Sequence, residues 1–469
     1  MTHVDVRRGI VVLAFFFLVS FLVLSLVVSY WMIVRATDLG TSQANPRVVA
    51  AEAAAIRGNI VAADGTVLAH TDPATHRRVY KTASLSNVIG YSSAQYGQAD
   101  LERSFGDYLS GHDLGEPILE IWRRLVHEPS IGADLQLTIV PSIQNAAEAA
   151  LGSRRGAIIV ARPSDGAVLA LVSKPNFDPN NVDADWQKLT TDSGQPLLDR
   201  ATQGLYPPGS TFKIVTNAAV LDAGIATPSS TFTCAGDWVI EGFHISCENA
   251  QIPPTITLQT ALALSSNATY ARLAVQLGPQ RLTSEADAFG FDSPIPFDLP
   301  TVTSHVRRSG GPWNNVLLAT TGFGQGEVQA TPLQMALVAS AVADHGEIAE
   351  PYLVQRVRDP NGNVLYQRRP RRWRTALTQA TATTSTTMLE NVVQHGSGVR
   401  AQIPGVRIAG KTGTAQINNT AVPDAWFVCF APVEAPRVVV AVLMENAGEG
   451  ADVAAPAAKS VLEAALAAG

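Results

Sequence analysis

From Ile10 to Val34 the chain carries no Asp, Glu, Lys or Arg, and the stretch includes Phe15, Phe16, Phe17 and Leu22. About 20 consecutive apolar residues are enough to cross a bilayer core as a helix. Arg7 and Arg8 precede the run and Arg35 closes it, with Tyr30 and Trp31 where an interfacial aromatic belt sits. A cleaved signal peptide has a shorter apolar core, about 7–15 residues, followed by a small-residue cleavage site. This run is longer and no such site follows it, so a retained signal anchor is expected. The positive-inside rule then makes residues 1–9 a cytoplasmic tail and 10–34 the membrane span. Everything from residue 35 onward is expected to fold on the extracytoplasmic side.

That placement frames the rest of the composition. The chain has 469 residues, length for two or three folded units. A net charge of −6 argues against a nucleic-acid-coating protein, which is normally basic. Nine histidines show no HExxH spacing and three cysteines no CxxC, so neither a metal nor another cofactor is expected. Cys234 and Cys247 flank a short polar segment. In an oxidising compartment they are either a disulfide or two free thiols, with a metal site beside His244 and Glu248 as a remote alternative. Cys429, within Trp426-Phe427-Val428-Cys429-Phe430, reads as core packing.

After a polar linker, residues 56–60 and 64–66 read as a strand, an Asp-Gly turn and a return strand. Residues 100–108 and 118–126 read as helices and 135–140 as a strand. Pro141 opens an alanine-rich helix that stops near Gly152. Residues 35–155 therefore read as a mixed α/β pedestal with no catalytic cluster. From Gly156 the pattern changes. Ala157–Ala161 and Ala167–Val172 are apolar runs joined by Pro163-Ser164-Asp165-Gly166, a hairpin signal. Helices follow, including 211–223 and 331–342, the latter with Thr331 as N-cap before Pro332. Residues 406–415, 425–430 and 438–444 return to strands, and an alanine-rich helix ends the chain. Strands at both ends of residues 156–469 with helices between predict one sheet completed by both termini and covered by helices, an α+β or mixed fold.

Three short motifs carry chemistry. In Tyr206-Pro207-Pro208-Gly209-Ser210-Thr211-Phe212-Lys213 the prolines and glycine place Ser210 at a helix start, with Lys213 one turn later on the same face. A serine hydroxyl is a poor nucleophile until a neighbour takes its proton. Only six of the 34 basic residues are lysine, so positive charge alone is written here as arginine. Arginine cannot lose its proton in a protein, and a base at this position has to be lysine. The second motif, Ser265-Ser266-Asn267, offers a hydroxyl and an amide on a turn between helical stretches 258–264 and 268–277; the alternative is an ordinary Ser-Asn cap. The third, Lys411-Thr412-Gly413-Thr414, lies on a strand. There a lysine and two hydroxyls bind a carboxylate, and Gly413 leaves room for a ligand along the strand. A backbone N–H of that strand, paired with that of Ser210, makes an oxyanion hole.

Taken together and in this order, the motifs resemble the penicillin-recognising serine transpeptidases. Residues 56–60 (Ile-Arg-Gly-Asn-Ile) and 97–102 (Gly-Gln-Ala-Asp-Leu-Glu) are similar to pedestal motifs of class B penicillin-binding proteins. Gly324-Gln325-Gly326-Glu327 with Thr331-Pro332-Leu333-Gln334 is similar to the family segment beside the site. The likeness is to the short actinobacterial type without C-terminal repeat domains. Val140 replaces a frequent aspartate and Cys429 a frequent glycine, neither in the chemical motifs. The resemblance implies an α+β chain whose β-lactamase-like transpeptidase domain, an antiparallel sheet covered by helices over residues 156–469, cross-links peptidoglycan stem peptides. It implies Ser210 as nucleophile, Lys213 as base and Ser265 as proton relay. Asn267 would hold the substrate amide, and Lys411, Thr412, Gly413 and Thr414 the terminal carboxylate. β-Lactams would acylate Ser210. Implied partners are stem peptides, the cytoplasmic membrane, a lipid II polymerase of the SEDS type and other division or elongation proteins. A D,D-carboxypeptidase would use the same residues with water as acceptor, and an anchored scaffold would use the pedestal alone. Nothing identifies the deacylating base that a β-lactamase needs, and the pedestal is too small for a second polymerising enzyme.

Two further features remain open on sequence alone. Arg368, Arg369, Arg371, Arg372 and Arg374 surround Pro370 and Trp373, either as a solvated run or as a contact for anionic envelope polymer or lipid headgroups. Trp313 either lines the substrate cleft near Gln325 or packs into the core.

Overall fold

A computed structural model of the chain describes residues 6–35, 55–111, 130–234, 236–247, 252–308, 310–416 and 422–468. The helix expected over residues 118–126 lies outside these. The N-terminal run is a helix, Val6–Ser29, continued by one wider turn, Tyr30–Val34. Residues 7–34 form a single helical stretch long and apolar enough to cross a membrane, with none of it buried against the rest of the chain. Among the described residues nothing covers its apolar side chains, which fits a lipid-facing helix.

The pedestal is built on a six-stranded sheet in the order Val364–Gln367, Val354–Arg358, Asp134–Leu137, Ile60–Val61, Val67–Thr71, Arg78–Tyr80. Its core includes Ile60, Leu101, Leu109, Leu135 and Leu137, all fully buried. The stretch expected as a strand from Ile56 is regular only at Ile60–Val61. Before it, Gly58 runs against the backbone of Ala133, and Asn59 donates its N–H to the Asp134 carboxylate at 2.6 Å. The helix expected over 100–108 is two short helices, Asp100–Ser104 and Gly106–Ser110. The two pedestal motifs meet at one carboxylate. Arg57 Nε lies 2.9 Å from one oxygen of Glu102, and Arg78 Nε 2.6 Å from the other. Burial would raise the Glu102 carboxyl, but the Arg78 and Arg57 charges outweigh it and hold it below its ordinary value.

Two of the six pedestal strands come from residues 354–367, inside the segment the sequence assigns to the following domain. Val357 pairs antiparallel with Leu135, which also faces Ile60 across a parallel pairing. Conversely, the helix Pro141–Leu151, on the pedestal side of the sequence boundary, packs Ile143, Ala147 and Leu151 into the core beneath the second sheet. Strands and a helix therefore pack across the boundary expected at Gly156.

The second sheet runs Ala409–Ala415, Asp424–Ala431, Val438–Met444, Gly156–Ala161, Val168–Lys174, with every neighbouring pair antiparallel. Both termini of the domain complete it, as the pattern predicts. Along Val438–Met444 the side chains alternate between two cores. Val439, Ala441 and Leu443 face one, with the wholly buried helix Pro332–Ala343; Val438, Val440, Val442 and Met444 face the other, with Pro141–Leu151 and the final helix Ala454–Ala467. A sheet covered on both faces explains why these strands read as unbroken apolar runs. Thr331 caps Pro332–Ala343, accepting the Gln334 N–H at 3.1 Å. At the 161–168 hairpin Asp165 accepts the Ala167 N–H, and Gly166 takes a positive φ of 81°. Cys429 is a buried free thiol within the sheet.

Candidate active site

The nucleophile candidate sits on a tight turn. Residues Gly209–Phe212 wind as a 3-10 turn, and the α-helix proper begins at Lys213 and runs to Asp222. In a 3-10 turn residues i and i+3 eclipse, which sets the Ser210 and Lys213 side chains on one side. The turn is clamped from both flanks. Gly209 donates its N–H to the Gly324 carbonyl at 2.9 Å, and the Trp426 indole donates to the Pro207 carbonyl at 3.0 Å. Gly209 has a φ of +52°, and a methyl there would come 2.8 Å from the Thr414 carbonyl. A methyl at Gly413 would come 2.9 Å from the Thr211 methyl. The two glycines let the Ser210 turn and the Lys411 strand touch backbone to backbone.

The remaining motifs converge on Ser265. The Lys213 amine, fully buried, lies 2.6 Å from the Ser265 carbonyl oxygen, 3.1 Å from the Ser265 hydroxyl and 2.6 Å from the Asn267 side-chain carbonyl oxygen, within hydrogen-bond reach of all three. The Lys411 amine, also fully buried, donates to the Ser265 hydroxyl at 3.0 Å and to the Thr412 carbonyl at 3.0 Å. Ser265 lies in the break between helices Leu258–Ala263 and Asn267–Ala288, with a left-handed φ of +60°. A non-glycine residue there is strained by about 1–2 kcal/mol. Ser266 caps the second helix, accepting the Thr269 N–H, and its hydroxyl lies 3.3 Å from Cys234 Sγ.

Cys234 and Cys247 are joined as a disulfide. Both sulfurs are thereby withdrawn from any metal site, and Glu248 lies outside the described residues. The bridge closes the base of a hairpin, Trp238–Ile240 with Phe243–Ile245, whose tip reaches the start of helix Asn315–Thr321 through Glu241 and Asn315 at 2.9 Å.

Among the described residues the Ser210 hydroxyl has no hydrogen-bond partner and its N–H no backbone acceptor. The Lys411 strand is the edge of its sheet, so alternate N–H and C=O groups face away from the neighbouring strand. The structure thus brings together Ser210, Lys213, Ser265, Asn267, Lys411, Thr412, Gly413 and Thr414. A backbone edge with no neighbouring strand runs beside an unengaged hydroxyl, and two amines meet at a second hydroxyl.

Two residues beside the site escape the motif reading. Ser397 shares a hydrogen bond with the Thr412 hydroxyl at 2.5 Å. The Gly396-Ser397-Gly398 turn after helix Gln379–His395 is its one sequence signal. Glu449 accepts the Thr414 hydroxyl at 2.7 Å, from the loop before the last helix. Behind the Ser210 turn, Glu445 takes the Tyr206 hydroxyl at 2.8 Å and the Arg200 guanidinium at 2.6 Å on one oxygen, and Arg155 at 2.9 Å on the other.

Trp313 is half-buried against the main core, under the Arg307 guanidinium, so it packs. In the arginine run, Arg368 pairs with Glu350, Arg372 with Glu347, and Arg374 lies over Trp373, whose ring fills the space at Gly290. Local partners take up much of that charge.

A family model for the penicillin-binding protein transpeptidase domain matches residues 156–463, and one for the penicillin-binding protein A dimerisation domain matches residues 57–134. The peptidoglycan D,D-transpeptidase PbpA of Mycolicibacterium smegmatis is 35% identical over 472 residues, covering 92% of this chain and 93% of its own length. The peptidoglycan D,D-transpeptidase MrdA of Haemophilus influenzae is 31% identical over 428 residues, covering 82% of this chain and 65% of that protein. Among solved structures, the ceftriaxone acyl-enzyme complex of penicillin-binding protein A from Mycobacterium tuberculosis superposes with a TM-score of 0.82 at 34% identity, covering 88% of this chain and 99% of that one. The imipenem acyl-enzyme complex of the same protein gives a TM-score of 0.81, with coverage of 88% and 100%.

Proposed function

The chain belongs to the penicillin-binding protein transpeptidases, and from that premise we propose that it cross-links peptidoglycan stem peptides through an acyl-enzyme on Ser210. The observation that carries the residue roles is the meeting of Lys213, Ser265 and Lys411 beside the Ser210 turn. An extended stem peptide adds along the open edge of the Lys411 strand, its backbone pairing with the outward N–H and C=O groups. Its terminal carboxylate is held by Lys411, Thr412 and Thr414, and Asn267 takes a side amide.

Ser210 Oγ attacks the penultimate D-alanyl carbonyl while Lys213, as the free amine, accepts the hydroxyl proton. The backbone N–H of Ser210 and one from the Lys411 strand hold the developing oxyanion. As the C–N bond breaks, Ser265 passes a proton from the lysine pair to the departing D-alanine amine. An amine from a second stem peptide then attacks the ester, and Ser210 is released. A β-lactam acylates the same hydroxyl.

Residues 1–9 are assigned to the cytoplasm, 10–34 to the membrane, 35–155 to linker and pedestal and 156–469 to the transpeptidase domain. Arg7 and Arg8 before the span support this orientation, and a disulfide is at home in an oxidising exterior. The span and pedestal are the parts assigned to a lipid II polymerase of the SEDS type and to other division or elongation proteins.

The test is labelling of the full chain in detergent with a fluorescent penicillin, followed by mass-spectrometric mapping. A stable adduct on the peptide containing Ser210, lost in Ser210→Ala, is expected. Labelling that persists in that variant, or fast release of hydrolysed drug, would overturn the assignment.

A further inference from the structure

Thr414 offers one hydroxyl proton, and Glu449 already accepts it. The loop that presents Glu449 is pinned on both sides. Asn446 donates its N–H to the Asp424 carboxylate at 2.9 Å, and Ala447 and Gly448 donate to the Pro423 carbonyl at 3.0 and 3.1 Å. Beyond it, Asp452 and Val453 donate to the Glu449 carbonyl at 3.0 and 3.2 Å, which makes the loop the entry to helix Ala454–Ala467. Gly450 lies directly against the backbone of Gly413, with its N–H 3.4 Å from the Thr414 hydroxyl oxygen. Glu449 is exposed, and among the described residues no cation pairs with it, whereas neighbouring Glu445 is taken up by Arg155, Arg200 and Tyr206. Residues 417–421 contain no Lys, Arg or His that would neutralise it.

A fixed carboxylate, with no cation paired to it among the described residues, thus borders the place where the stem peptide's own carboxylate is held. While the donor is bound, the two negative charges face each other and compete for the Thr414 hydroxyl. Once D-alanine has left, the vacated end of the site lies between the Lys411 amine, which stays engaged with the Ser265 hydroxyl and the Thr412 carbonyl, and the Glu449 carboxylate, whose charge favours a cation there. We propose that Glu449 is a specificity-determining residue for the second half-reaction. It repels the departed D-alanine carboxylate and draws in an acceptor that is a cationic primary amine in preference to water. This rests on the transpeptidase reading above and adds the acceptor's chemistry to it. In the step it serves, the incoming ammonium gives one proton to water and its nitrogen lone pair attacks the ester carbon of acyl-Ser210. The C–Oγ bond breaks, and a second nitrogen proton returns to Ser210 Oγ, leaving an amide and the free enzyme.

The full chain in detergent is acylated with a carboxylate-ended D-alanyl thioester. Product partition between glycinamide, a cationic amine, and water is then measured for the parent chain, Glu449→Gln and Glu449→Asp. Loss of one unit charge at this distance in exposed surroundings predicts about a fivefold fall in the aminolysis-to-hydrolysis ratio for Glu449→Gln. Acylation should be at least as fast as in the parent, Glu449→Asp should recover part of the ratio, and the difference should shrink in concentrated salt. An unchanged ratio in a Glu449→Gln chain that still acylates would overturn the proposal while leaving the transpeptidase reading intact. Failure of the parent chain to acylate would overturn both.

Discussion

The amines of Lys213 and Lys411 reach the same atom, lying 3.1 and 3.0 Å from the Ser265 hydroxyl oxygen. One amine follows the Ser210 turn and the other stands on the edge strand, so Ser265 joins the Ser210 side of the site to the Lys411 strand. Both amines are fully buried, and each is oriented by carbonyl oxygens from the backbone of the motifs themselves.

Arginine substitution separates the two lysines by role. Lys213→Arg puts a permanent charge where an unprotonated amine has to accept a proton, so acylation by penicillin should fall by about 10²–10⁴. Lys411→Arg, which needs charge more than proton exchange, should lose less. Stopped-flow acylation rates for both variants check this, and equal losses would contradict the division of labour.

Ser265 holds a left-handed backbone that glycine adopts without strain. Ser265→Gly should therefore relieve about 1 kcal/mol of backbone strain, offset by the lost hydroxyl that both buried amines engage, and slow acylation about 100-fold or more with little net change in stability. Denaturant titration and penicillin labelling of the same preparation read both effects. A variant of unchanged stability that acylates at the parent rate would show that Ser265 is a spacer.

The Cys234–Cys247 bridge touches Ser266, which caps the helix beginning at Asn267. Reduction, or the Cys234→Ser/Cys247→Ser double variant, should slow acylation several-fold. It should also lower stability by up to about 3 kcal/mol, the value for opening a loop of comparable length. Acylation at the parent rate under reducing conditions, with both thiols titrated, would separate the bridge from the site.

Asp199 is buried, and burial pushes its carboxyl up to about 6 against hydrogen bonds from Thr202 and the Ala201 N–H. A carboxyl raised in the folded state stabilises the fold below its unfolded value near 4, and that contribution is lost as pH rises through 6. Between pH 4 and pH 7 the stability of Asp199→Asn relative to the parent should rise by on the order of 2–3 kcal/mol. Parallel urea melts at the two pH values give this difference, and a constant offset would rule it out.

How much of this was legible in the sequence depends on the reach of each interaction. The Thr331 cap, the Asp165-Gly166 turn and the stop at Gly152 depend on a few neighbouring residues and stand where they were expected. The three motifs could be read because each is local, and their order supplied the rest. The left-handed backbone of Ser265 has no such signal, since serine is not the residue that conformation prefers. Ser397 and Glu449 meet Thr412 and Thr414 only through tertiary packing, and each lies in a polar loop that resembles any other. The pairing of Cys234 with Cys247 needed their spatial approach, which spacing alone left open.

The pedestal sheet closes with strands from residues 354–367, and the catalytic sheet with strands from residues 409–444. Neither layer is complete when the first half of the polypeptide has emerged. Asp134–Leu137 waits for Val354–Arg358, and Gly156–Ala161 waits for Val438–Met444, each with an open ladder edge. Such distant pairings make folding slow, and unpaired edges invite association with other chains. A polypeptide truncated before residue 354 would therefore leave both layers unfinished and yield an aggregation-prone fragment instead of a freestanding pedestal.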